Sequence, residues 1–164
     1  MSPRFILAIA LTFSQIGLSA AATCVAPVLR DRVTLEIAGV LHGVEEWGPP
    51  NFGEHPETDS RWRAWIIDLP TPLAISGGVE FHGKQWTSVS QIQIKMLAHV
   101  GSDNALLAPY EGKLVGVTGK LFPATVISDV TPVGIDGERI RPVDHPTCRV
   151  VDPNGLRETI RDLE

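Results

Sequence analysis

The chain has 164 residues, with 14 Lys+Arg against 19 Asp+Glu for a net charge of −5, 43% hydrophobic residues and 20% charged ones. So many apolar and so few charged residues exclude a disordered chain. Two cysteines exclude a disulfide-dense mini-protein and a four-cysteine zinc site, and the acidic balance argues against a nucleic-acid partner.

Residues 1–22 read as a secretory signal peptide. A basic start at Arg4 precedes an apolar run from Phe5 to Phe13, and small residues place the cut after Ala22 or Ala21. The run is too short for a stable membrane anchor, and no later apolar stretch is long enough to cross a bilayer. Ala21-Ala22-Thr23 ahead of Cys24 does not suit lipid attachment. Removal of residues 1–22 takes away one arginine and no acid, leaving 142 residues and a net charge of −6. Export sends the chain to the periplasm or the medium, where a cysteine pair usually closes. A Cys24–Cys148 bridge would then tie the ends of the domain, with a chain-entropy gain of about 4–5 kcal/mol. The rival reading is two free or intermolecular thiols.

Five strands and one short helix follow. In Arg32–Leu41, Val33, Leu35, Ile37, Gly39 and Leu41 share one face, and Gly39 marks a bulge or bend. Arg61–Leu69 sets Trp65, Ile67 and Leu69 on one face, and Pro70 and Pro72 are expected to end its pairing. Ser88–Met96 alternates Ile92, Ile94 and Met96 with Gln91, Gln93 and Lys95. Residues 103–110 suit a short helix, capped by Ser102 or Asp103 and stopped at Pro109. Leu114–Phe122 is the fourth strand. Thr131–Val143 is the fifth, with a candidate hairpin turn at Asp136-Gly137.

The order β-β-β-α-β-β matches an OB-type Greek-key barrel, which closes by bending its first strand at a site such as Gly39. Another small β-barrel or sandwich shares the strand count. The expected layout is a signal peptide over 1–22, a barrel domain over 23–148 and a tail over 149–164. In the tail, Asp152 and Pro153 suit a helix start, and Leu156, Ile160 and Leu163 share one stripe.

Several segments, in order, resemble a family of exported bacterial domains of unknown function. They are Val33-Thr-Leu35, Gly39-Val-Leu41, Gly48-Pro-Pro-Asn-Phe52, Pro56-Glu-Thr58, Trp65-Ile-Ile-Asp-Leu69 with Pro72, and Val89-Ser-Gln-Ile-Gln-Ile94. The clearest is Tyr110-Glu-Gly-Lys-Leu-Val-Gly-Val-Thr-Gly-Lys-Leu-Phe122 with Ala124, followed by Thr131-Pro-Val133. The resemblance spans residues 32–133 and implies an OB-like barrel with no established activity. Members of that family often carry histidines between the Leu-Phe and Thr-Pro-Val segments. Pro123–Val130 has none, so a metal site built on them is not expected here. A few extra residues also separate Pro56-Glu-Thr58 from Trp65.

The connection from Val44 to Ser60 stands apart. It holds Glu45, Glu46, Glu54, Glu57 and Asp59 with no Lys or Arg, together with Trp47, Asn51, Phe52 and His55. In an OB-fold this loop joins strands one and two and faces ligands. It suits a basic or sugar-like partner, with Trp47, Phe52 and the nearby Trp62 as anchors. A hard cation such as Ca²⁺ is a second reading, although the spacing does not fit a calcium loop. A solvated turn shaped by Gly48-Pro-Pro-Asn is a third. Trp86 suits a plug for the barrel end.

His42, His55, His82, His99 and His145 form no metal-ligand pair at close spacing, no Gly-x-Ser-x-Gly elbow occurs, and the glycines lack phosphate-loop spacing. No cofactor is expected. The leading expectation is an exported, non-enzymatic module that binds a protein or small molecule of the cell envelope through residues 44–60. The alternatives are a small hydrolase or metal-dependent enzyme built from dispersed His and acidic residues, and a protein that guards or assembles another exported protein.

Overall fold

The structure, a computed structural model, describes residues 25–26, 34–96 and 103–151. The signal peptide, Cys24, His99, the Ser102 cap and the helix expected after Asp152 lie outside these residues. The elements are β1 (Val25–Ala26), β2 (Thr34–Trp47), β3 (Arg61–Phe81), β4 (Lys84–Met96), α1 (Asp103–Leu107) with a 3₁₀ turn over Ala108–Tyr110, β5 (Leu114–Pro123), β6 (Val133–Pro142) and β7 (Cys148–Val150).

The sheet order is β1-β3-β4-β6-β5-β2-β7, and an added β2–β3 pairing closes it. The result is the expected OB-type five-stranded barrel of β2 to β6, with a parallel β4–β6 contact and its short helix between the third and fourth barrel strands. Closure depends on β2. Thr34–Val40 pair with β5, and Val40–Trp47 pair with β3. Gly39 sits at the crossover, where an added Cβ would run into the Asp68 carbonyl oxygen and the Ile67 side chain. Only glycine admits this backbone approach. Beside the Val40–Trp47 contact with β3, β7 pairs with Leu35–Ile37.

The inward faces follow the sequence alternation. Leu35, Ile37 and Leu41 of β2, Trp65 and Ile67 of β3, Ile92 and Ile94 of β4, Val115 and Val117 of β5 and Ile135 of β6 form one buried cluster. Leu107 of α1 joins it, so the helix turns an apolar side chain into the core. Trp86 packs against this cluster without being fully buried.

Three boundaries depart from the sequence reading. The first strand runs on to Trp47, because cross-strand partners on β3 hold its acidic end: Glu45 faces Arg63, and Trp47 faces Arg61. The second strand does not stop at Pro70 and Pro72. Both prolines fall in a register shift between Asp68 and Leu73, where they forfeit no ladder hydrogen bond. The strand continues into a hairpin whose turn residues, His82 and Gly83, both have positive φ, the geometry of a two-residue type I′ turn. The expected hairpin at Asp136-Gly137 is absent. β6 is one strand, and Glu138 is the extra residue of a bulge between the pairs Thr118–Arg139 and Gly119–Gly137.

Candidate binding groove

One wall is the 48–60 connection, and Asp59 organises it. Its carboxylate accepts hydrogen bonds from the N–H groups of Asn51 (2.8 Å), Gly53 (2.7 Å) and His55 (3.3 Å) and from the Asn51 amide (3.3 Å). Burial raises this carboxyl, but those donors outweigh it and hold Asp59 below the usual carboxylate range. The staple is therefore charged at neutral pH and is lost only as acid protonates it. Replacement of Asp59 by Ala should speed hydrogen exchange at the Asn51 and Gly53 amides while Ile67 and Val117 stay protected. Uniform protection in the variant would show that the loop holds itself.

Trp47 lies under this loop. The Arg61 guanidinium sits 3.2 Å from its ring centroid, and a Cβ on Gly53 would stand 2.9 Å from its Cδ1. Its carbonyl accepts the Trp62 indole N–H at 3.1 Å, which orients Trp62. Glu45 lies 3.9 Å from Arg63, and Glu57 lies 3.5 Å from His55. Glu54, His55 and Glu57 are exposed, and Glu46 is half-buried directly across from Trp62.

The opposite wall is the 124–132 connection, for which the sequence carried no expectation beyond its missing histidines. Two buried polar side chains tie it down. Gln93, 1% exposed, donates to the Ser128 carbonyl (3.3 Å) and accepts from the Val130 N–H (2.9 Å). Asp129, 4% exposed, accepts from the N–H groups of Thr125 (2.6 Å) and Val126 (2.9 Å) and meets the Lys95 amine. Burial raises the Asp129 carboxyl, but Lys95 and the two N–H groups hold it below the usual range.

Between these walls lies a groove of about 580 Å³, floored by β3 and β4, within the size of known ligand sites. Of the ten candidate residues, Phe52 and Trp62 line it, joined by Pro49. Residues that sequence reasoning did not single out complete it: Arg63, Trp65, Gln93, Lys95, Met96, Asn104 and Ser128 among them. Asn104 is fixed there by the Trp65 indole, which donates to its Oδ1 at 2.9 Å. Arg63 meets Glu111 and Glu45, so both cations that line the groove are already partnered by carboxylates.

Among the described residues, no group of three or more His, Cys, Asp or Glu stands close enough to hold a metal ion. His42 pairs with Asp68 at 3.1 Å. No helix among the described residues is long and apolar enough to cross a membrane. The fold and the groove together define an OB-type barrel with a ligand-sized cleft on the face where that fold engages ligands. Comparison with family models, curated proteins and solved structures returns no match.

Proposed function

We propose that this chain is an exported, non-enzymatic binding module that seats a ligand or partner in the groove between the 48–60 and 124–132 connections. The observation that carries this reading is the groove itself, pre-formed and walled by two loops that are each tied by an aspartate. A site already ordered when empty loses less entropy on binding. In this reading the candidate residues divide their work. Phe52 and Trp62 touch the ligand, while Trp47, Asn51 and Asp59 shape the wall. Glu45, Glu46, Glu54, His55 and Glu57 set the charge around it.

Export rests on the signal-like residues 1–22. We further infer a Cys24–Cys148 bridge. Cys24 immediately precedes β1 in the sequence, Cys148 opens β7, and no free cysteine is found among the described residues. The bridge would staple together the short strands that extend the sheet at its two ends.

A Phe52→Ala, Trp62→Ala double variant of the full chain should keep its circular dichroism and melting temperature. It should lose, by about tenfold or more in affinity, a partner captured from cell-envelope extract by the wild type. Unchanged capture would remove the groove as the binding surface.

A further inference from the structure

The 124–132 connection ends in an exposed apolar tip. Val126 is 54% exposed and Ile127 71% exposed. Ser128, the next residue, lines the groove. The tip is held out by the buried Gln93 and Asp129, whose side chains are spent on its backbone. Two aliphatic side chains on an ordered loop, beside a groove they do not line, stay wet when a small molecule fills that groove. A partner large enough to lie across both would bury them, which favours binding because apolar surface leaves water and the loop is ordered beforehand.

Charge indicates what kind of partner. Arg63 and Lys95 are neutralised by Glu45, Glu111 and Asp129, so neither is left to attract a phosphate or a carboxylate. Glu46 stands across from Trp62 on the same face of the β2–β3 pair. Glu54 follows Phe52 by two residues and is exposed. Among the described residues, no ion pair engages Glu46 or Glu54. Arg61, stacked on Trp47, offsets one of these charges. The rim therefore keeps a negative field beside aromatic and aliphatic surface, complementary to a cation on an apolar stem.

We propose that the groove receives a basic segment of a partner polypeptide, with lysine or arginine side chains set beside aliphatic ones, and that Val126 and Ile127 pack on the same partner. The proposal rests on the groove reading above and names its occupant. It pairs the acidic rim with the cations and the tip with the aliphatic side chains.

The test uses the full chain and four probes: a synthetic peptide alternating Lys and Leu, its Glu-Leu counterpart, spermidine, and a neutral oligosaccharide. Binding is read by tryptophan fluorescence and by calorimetry. The Lys-Leu peptide should bind, and more weakly as salt rises. Its affinity should fall by about tenfold in Glu46→Gln, Glu54→Gln and independently in Val126→Ser, Ile127→Ser, each a change of about 1.4 kcal/mol. The Glu-Leu peptide should not bind. Equal binding of the two peptides, or Lys-Leu binding unchanged in both variants, overturns the proposal. Spermidine binding as tightly as the peptide overturns the polypeptide assignment. An oligosaccharide that binds instead, and is lost in Phe52→Ala, Trp62→Ala, overturns the basic partner while leaving the groove as a binding site.

Discussion

Replacing Gly39 by Ala should destabilise the barrel by about 3 kcal/mol in urea denaturation. The added methyl would land on the Asp68 carbonyl oxygen and the Ile67 side chain. The first is backbone and the second is core, so neither can swing aside. Relief requires separating β2 from β3 at the point where β2 passes from β5 to β3, and that contact closes the barrel. Gly137→Ala is the useful contrast. Its methyl would meet mainly the Met96 sulfur, at 2.6 Å. Methionine is the most adaptable core side chain, so a cost of roughly 1 kcal/mol is expected. Equal costs at the two sites would show that close packing in general, rather than strand closure, sets the requirement at Gly39.

Asp129→Ala should cost roughly 2–3 kcal/mol near neutral pH, because two loop N–H groups lose their acceptor and Lys95 its counter-charge. The effect has a defined pH dependence. The folded carboxyl titrates below its ordinary value of 3.8. Its contribution is therefore fully present above that value and is lost as pH falls through the lower folded one. The stability gap between wild type and variant should stay flat from neutral to mildly acidic pH and narrow only in stronger acid. A gap that narrowed near neutral pH would place the controlling group elsewhere. The variant should also loosen the Val126–Ile127 tip, which hydrogen exchange at the Thr125 and Val126 amides would report directly.

Much of the barrel is legible in the sequence, because period-two alternation is a local property of strands. Leu35 and Ile37, and likewise Ile92 and Ile94, share a face by their spacing alone, and all four are buried. Gly39 was marked as a bend by being the glycine in an otherwise apolar face. Strand ends were less legible. Val44-Glu-Glu-Trp47 read as acidic loop because the arginines that hold it, Arg61 and Arg63, come from the neighbouring strand. Pro70 and Pro72 read as terminators because a bulge that leaves them outside the ladder has no local signature. Asp136-Gly137 carried a turn signal, yet long-range pairing with both β4 and β5 kept β6 extended.

The candidate site divides in the same way. The acidic aromatic connection was conspicuous in composition, and two of its candidate residues, Phe52 and Trp62, do line the groove. Composition could not show that Asp59 is turned inward on its own loop, or that Arg61 already covers the face of Trp47. Nor could it show the second wall. Gln93 read as one more outward residue of an alternating strand, and its two bonds to the 124–132 connection join residues 35 and 37 positions apart.

By itself, then, the sequence determined the class of fold, the inward faces and the presence of one acidic loop, since each follows from local spacing and composition. Only the tertiary structure decided where the strands end, which loop side chains are spent on shaping the backbone, and that a second loop faces the first across a groove. Those outcomes depend on hydrogen bonds, ion pairs and close backbone approaches between residues far apart in the chain, and local patterning holds no record of such partners.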